Sequence, residues 1–335
     1  MQLSIIIVNY KSGNYICDAL ASADKSLIDN TQIEWIVVDN DSQDQSQATI
    51  TQSFPFVKWI QMGYNAGFAR ANNAGMKVAM GTTILLLNPD TLLLPGVIEN
   101  CLARLAQSNY VACGVQLVHK NRQPQFSGSH FMKGGINHLL PLPYWGACLK
   151  AVAGLFKTNK PAVLIAEKEQ LVDWVSGAFL MVKKEAIQKA GFMDEDFFLY
   201  AEEVEWCSRL KKQGSICIYG DLQIIHLIGA TIQAATQANS NSYEQLYDKK
   251  GLQLMVSNHV RIRKQYGVVW FLFQLLNYTW AIPFAFIASI CINLLHFRSP
   301  IKELSQIVML GKNVMELWKL TPTIIKAKPY FYKCI

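Results

Sequence analysis

The chain has 335 residues, 51% of them hydrophobic and only 16% charged, with a formal net charge of +7. That length holds one large domain or two smaller ones, and a charged share below the usual value of about 25% points to something beyond a soluble globule. From Lys249 onward twelve Lys/Arg face two Glu, a net of +10, whereas the preceding residues carry −3. A basic, apolar tail fits an anionic membrane surface, and no zinc-ligand spacing or RNA-binding signature supports a nucleic-acid partner.

Eight cysteines without a C-x-x-C pair predict free thiols in a reducing, cytosolic compartment. Residues 4–8 are β-branched and apolar and read as a first parallel strand, with no signal peptide expected ahead of it. Residues 9–13 form a polar turn, and 14–23 a helix with Ile16, Ala19 and Leu20 at helical spacing. A second strand, 34–38, ends on Asp39-Asn40-Asp41-Ser42. Strand, helix, strand and acidic loop make a nucleotide-binding opening. Asp39 is placed either to accept hydrogen bonds from a base or ribose, or to cap the Gln-rich segment that follows.

Residues 57–61 read as a third strand, followed by Asn65-Ala66-Gly67 and a helix carrying Arg70. That glycine and helix start suit an anion, or an ordinary turn into a helix with a solvated Arg. The apolar run 84–87 then reads as a central strand stopped by Pro89. Asp90 sits at its carboxyl end, where open α/β sheets bind ligands, and there it is a metal ligand or a plain turn residue.

Residues 95–106 are helical and 110–118 a strand; 119–133 are basic and turn-rich. The aromatic segment 134–163 fits an acceptor-side flap, a membrane-contacting loop or a core-packing insertion. Residues 174–182 read as one strand, with Gly177 where a ligand could approach. A short helix, 185–190, stops at Gly191. Residues 194–205 then hold six acids among aromatics. As a helix from 201 to 212, this stretch puts Glu202 and Glu205 on one face and pairs Glu205 with Arg209. Crowded carboxylates beside apolar groups can raise one pKa towards base duty; a plain amphipathic helix is the alternative. After a strand at 215–219, His226 lies between Ile and Leu, as a core histidine or a ligand.

These residues, in this order, resemble the family 2 glycosyltransferases. The likeness runs from Ser4–Tyr10 through Val37–Ser42, Asn65–Gly75, Leu87–Thr91, Trp174–Ala178 and Phe197–Arg209 to His226, closest to the bacterial rhamnosyltransferase-like branch. It implies an α/β fold of the GT-A (nucleotide-diphospho-sugar transferase) type, a mixed, mainly parallel sheet flanked by helices. It also implies inverting chemistry. By the resemblance, Val8, Asn9, Tyr10, Asp39, Asp41, Asn65, Gly67, Arg70 and Asn88 contact the nucleotide, and Asp90 and His226 hold Mg²⁺ or Mn²⁺. Asn88-Pro89-Asp90 replaces the family's Asp-x-Asp motif. Glu202-Glu203 matches its Glu-Asp motif, so Glu203 stands where the family's base is Asp, with Glu202 beside it. Trp174, Gly177 and Glu205 fall on the acceptor side.

No charged residue lies between Lys264 and Arg298. Residues 268–295 are nearly continuous apolar sequence, long enough to span a bilayer, with basic flanks that place both ends in the cytoplasm. Pro283 can kink this run into a re-entrant or surface-lying hairpin, and a buried helical hairpin in a soluble protein is the alternative. Ser299-Pro300 reads as the start of a basic amphipathic helix, 301–319, ending before Pro322. The expected organisation is a GT-A catalytic domain, 1–245, and a C-terminal apolar helical membrane-associated region, 246–335. The expected reaction moves a sugar from dTDP-rhamnose or a UDP-sugar to a lipid-linked saccharide at the cytoplasmic face of the inner membrane. A nucleotide-sugar-binding scaffold and a nucleotidyltransferase are the rival readings.

Overall fold

The computed structural model describes residues 1–155, 162–227, 246–301 and 303–335. They form two compact units, the first from 1–130, 162–195 and 202–227, the second from 131–155, 196–201 and the described residues from 246 onward. The expected boundary at 245 falls at the edge of a stretch outside the described residues.

The first unit is built on a mixed sheet. Strands β1 (Leu3–Asn9), β2 (Ile33–Asp39), β3 (Val57–Gln61) and β4 (Thr83–Leu87) lie parallel in the order β3-β2-β1-β4. The remaining strands are β5 (Thr91–Leu92), β6 (Ala112–Val118), β7 (Gly128–Ser129), β8 (Ala162–Val163), β9 (Gln170–Val172), β10 (Trp174–Val175), β11 (Phe179–Lys183) and β12 (Ile216–His226). β11 runs antiparallel between β4 and β6, and β12 returns parallel to β6. The apolar runs follow from two-sided burial. Ile5, Ile7, Val37 and Leu85 pack on one face of the sheet, and Ile6, Val8, Ile36 and Leu86 on the other. Burying each such side chain stabilises the fold by roughly 1.5–3 kcal/mol. The helix Gly67–Val78 lies close on β1 and β2 because Gly75 has no side chain; a Cβ there would sit 2.6 Å from Ile6 Cγ2.

Four expectations change. The single strand expected at 174–182 is two, broken at Ser176–Ala178, where the chain leaves a small sheet (β10-β7-β8) for the main one. The strand expected at 215–219 continues to His226 across a register shift between Tyr219 and Gln223. The last helix starts at Leu304, not Pro300, and runs through Pro322 to Lys326. An internal proline costs about 3 kcal/mol; here Leu317, Thr321 and Ile324 are buried on the inner face, and Arg263 Nη2 donates to the Ile325 carbonyl at 3.0 Å. Pro283 likewise lies inside an unbroken helix, Val268–Leu295.

In the second unit, Leu139 and Leu142 join a core with Met255, Val260, Phe271, Tyr278 and Leu317. The described part of 134–163 thus includes a core-packing insertion; residues 156–161 lie outside the described residues. A Cβ on Gly134 would overlap the Trp270 ring, and Gln274 Nε2 donates to the Gly134 carbonyl at 2.9 Å.

Candidate active site

The carboxyl ends of the parallel strands gather the polar loops at one edge of the first unit. Register places Asn9 beside Asp39, and Asp39 beside Gln61. Asp39 is buried and its carboxylate is fully used. Oδ1 accepts from Asn9 Nδ2 (2.6 Å) and Ser42 Oγ (2.5 Å); Oδ2 accepts from the Ser42 amide (3.0 Å) and Gln61 Nε2 (2.8 Å). Asp39, with Asn9 buried beside it, therefore ties three strand ends together, and a base can reach the carboxylate only by replacing one of these donors. Neither Asp39, Asp41 nor Ser42 caps the helix Ser46–Ser53, whose first amide bonds Asp44 Oδ1 at 2.9 Å.

Asn40 braces the next loop. Its Oδ1 accepts from the Ala66 amide (3.2 Å), and its Nδ2 donates to the Gly67 carbonyl (3.0 Å). Gly67 has φ +75°, which only glycine adopts without strain, and Asn65 Oδ1 accepts from its amide at 3.2 Å. Arg70 Nε donates to the Glu195 carbonyl at 3.0 Å. Val8 is buried beneath this edge, and Tyr10 is half-exposed on it. Lys11, Asp41 and Gln43 all take positive φ, so non-glycine backbone strain clusters in the two loops expected to hold the nucleotide.

Beyond β4 the chain turns sharply through Asn88-Pro89-Asp90-Thr91, closed by Thr91 Oγ1 donating to the Asn88 carbonyl at 2.8 Å. β5 then pairs antiparallel with the end of β12, setting Thr91 opposite His226, and the Leu227 amide donates to the Asp90 carbonyl at 2.9 Å. Two residues distant in sequence are thereby brought together. His226 Nε2 lies 3.4 Å from Asp90 Oδ1 and 3.4 Å from Asn88 Nδ2. Asp90 is 3% exposed, and its Oδ1 has no hydrogen-bond partner. A buried carboxylate oxygen without a bond is costly, and a cation between it and the imidazole nitrogen would remove the cost. Among the described residues no group of three or more His, Cys, Asp or Glu converges. A hard divalent cation commonly needs only one or two protein ligands, the rest coming from water and substrate phosphates. Asp90 and His226 fit that role.

The broken strand links this tip to the acids. The Asn88 amide donates to the Ala178 carbonyl at 3.0 Å, and a Cβ on Gly177 would stand 3.5 Å from the Phe68 ring and 3.7 Å from Glu203 Cβ. Gly177 thus lies between the Asn88 turn and the helix Glu202–Leu210. Of that helix's three acids, Glu202 and Glu205 are buried and Glu203 is half-exposed. The expected pair forms: both Glu205 oxygens accept from Arg209, at 2.8 Å each. This bidentate use engages both Glu205 oxygens, and Glu203 is the most exposed acid of the helix. Tyr200 and Ala201 both take left-handed backbone (φ 72° and 65°) immediately before the helix. Trp174, in the small sheet, packs tilted against Phe126 with ring centroids 5.3 Å apart. Burial pushes the Cys207 thiol up to about 12, so it stays protonated and offers no nucleophile.

Sequence reasoning gave no role to Gln61, Asn40 or Gln125. The first two sit beside motif residues at the strand ends, where a scan for polar side chains would have found them. Gln125 lies in the turn-rich stretch after β6 and makes its bond to His226 across 101 residues, which no local pattern announces.

The model described as Glycosyl transferase family 2 matches residues 4–159. The fold, the strand-end loops and this match define a glycosyltransferase. Over residues 4–159 the chain is thus similar to the family 2 glycosyltransferases. It is 26% identical over 269 residues to a low-salt glycan biosynthesis hexosyltransferase, Agl10, of Haloferax volcanii, covering 77% of this chain and 76% of that one. It is 26% identical over 234 residues to the N-acetylglucosaminyl-diphospho-decaprenol L-rhamnosyltransferase of Mycobacterium tuberculosis, covering 65% and 73%. Among solved structures, the mannosyltransferase PcManGT of Pyrobaculum calidifontis, in complex with GDP-Man and Mn²⁺, superposes with a TM-score of 0.54 at 14% identity, covering 96% of this chain and 87% of that one. That likeness is one of fold, and the fold is the expected GT-A type.

Proposed function

We propose that this enzyme is an inverting transferase. It moves a sugar, rhamnose first and a UDP-hexose second, from a nucleotide-diphospho-sugar to a polyprenyl-linked or growing cell-surface polysaccharide. The observation that carries the reading is the buried, unbonded Asp90 Oδ1 facing His226 Nε2 at the tip of a central strand. A rhamnosyltransferase acting on a decaprenol-linked saccharide among the relatives supports the donor and acceptor classes.

Asp90 and His226 would hold Mg²⁺ or Mn²⁺, which when bound offsets negative charge on the leaving diphosphate. Asn65, Gly67 and Arg70 border the donor at the start of their helix, and Asn88 lies against the cation pair. Asp39 holds the strand ends that shape the base pocket. Glu203 accepts the acceptor hydroxyl's proton while that oxygen forms its bond to the anomeric carbon and the carbon–phosphate oxygen bond breaks on the opposite face. Glu202, buried beside it, sets the helix start. One displacement inverts the centre.

A transfer assay across dTDP-rhamnose, UDP-hexoses, GDP-mannose and a nucleoside triphosphate, with Mn²⁺ and a polyprenyl-diphosphate saccharide, tests this. Turnover is expected with a dTDP- or UDP-sugar. Pyrophosphate release from the triphosphate would make it a nucleotidyltransferase, and nucleotide binding without turnover of any donor a scaffold.

The second unit supports a membrane-associated localisation. The helix Val268–Leu295 buries Phe271, Gln274, Leu275, Tyr278, Ala281 and Ala285 along one stripe. It exposes Val269, Phe273, Leu276, Trp280, Ile287 and Leu294 along another, at spacings of three, four and seven. On its inner side Tyr278 bonds the His138 carbonyl (3.0 Å) and Ser289 bonds Glu303 (3.0 Å), both within the unit. A helix packed lengthwise with one apolar face outward lies in a membrane surface rather than crossing it alone. Basic residues on both flanks support a cytoplasmic-side surface. The full chain should float with vesicles containing anionic lipid, and Leu276→Glu/Trp280→Glu should stay at the bottom of the gradient; flotation of the double variant would place the contact elsewhere.

A further inference from the structure

We infer that Gln125 is a positioning residue that fixes which nitrogen of His226 faces Asp90; the inference rests on reading Asp90 and His226 as cation ligands. Gln125 is buried at 4% exposure, next to the end of β12. Its side-chain Nε2 meets two acceptors, the His226 carbonyl at 2.6 Å and His119 Nδ1 at 3.1 Å. A carbonyl can only accept, so the amide cannot be turned over. Oε1 must then face His226 Nδ1, 3.1 Å away, and Nδ1 must carry the proton. In the neutral ring Nε2 is then left with its lone pair, facing Asp90 Oδ1 at 3.4 Å.

Two electron-pair donors thus face each other with no proton between them. That arrangement repels in the empty site and attracts a cation. Without Gln125 the proton on Nδ1 is favoured only through the long contact of Asn88 Nδ2 with Nε2, at 3.4 Å. The ring can then carry it on Nε2, donate to Asp90 Oδ1, and use up both ligands in one hydrogen bond. Second neighbours that set a ligating imidazole's tautomer in this way are worth about 10–100-fold in metal affinity. The backbone carries the arrangement, because the Gln125 amide bonds the Leu117 carbonyl at 2.8 Å and Gln116 Nε2 bonds the Gln125 carbonyl at 3.0 Å.

Long-range ¹H–¹⁵N spectra of the metal-free wild type should show His226 protonated at Nδ1, a measurement that needs no variant. In Gln125→Met, close in volume but without the amide, the proton should move to Nε2. Mn²⁺ affinity, read by titration calorimetry, should then fall at least about tenfold while thermal unfolding stays cooperative. A wild-type ring protonated at Nε2 overturns the inference, as does a Gln125→Met variant that keeps both the tautomer and the affinity. If instead wild type and Asp90→Asn bind Mn²⁺ equally, the cation site itself is wrong; the tautomer result stands apart from that outcome.

Discussion

Glu203→Gln is expected to lower the transfer rate by about 10²–10⁴-fold, the range for losing a positioned general base, with donor binding unchanged. The variant keeps the shape and removes only the capacity to take a proton. Glu203 is the half-exposed acid of its helix, and its Cβ lies across from Gly177, whose missing side chain leaves room in front of it. Glu205 cannot substitute, because Arg209 occupies both its oxygens and the Ala190 carbonyl holds Arg209 in turn, at 2.6 Å from Nη1. Rates of transfer and donor affinities for wild type, Glu203→Gln and Glu205→Gln check this. Loss of activity in Glu205→Gln without loss of stability, and none in Glu203→Gln, would reverse the assignment.

Much of this site was legible because the parallel half of the sheet obeys local rules. Ile5–Val8 and Ile84–Leu87 are apolar on both faces, so their strands had to be central, and Pro89 had to end one of them. Ligand-bearing loops then fall at the carboxyl ends by topology. The i,i+4 pair Glu205–Arg209 is equally local. What escaped depends on long-range pairing. Whether His226 is a core residue or a ligand turns on the antiparallel match of β5 with β12, which sequence spacing does not encode. The break at Ser176–Ala178 follows from a change of sheet partner, invisible in a run that is apolar throughout. The tail helix passed Pro322 because Leu317 and Ile324 are buried on either side, and burial outweighed a propensity rule.

Asp90→Asn is expected to abolish transfer, by roughly 10³-fold if the cation supplies several kcal/mol to the leaving diphosphate. The same change should leave the metal-free protein at least as stable. Asp90 is buried at 3% exposure with Oδ1 unbonded, so removing its charge removes a desolvation cost. An inactive protein that melts at or above the wild-type temperature would mark Asp90 as a residue kept for chemistry at the expense of stability. A variant that is inactive because it unfolds would not.

The central claim is that Asp90 and His226 hold a divalent cation where the donor's diphosphate binds. The direct measurement is calorimetric titration of dTDP and UDP into the wild type and into Asp90→Asn, each with and without Mn²⁺. Mn²⁺ should tighten nucleotide binding in the wild type and make no difference in the variant. An equal Mn²⁺ effect in both proteins would contradict the account.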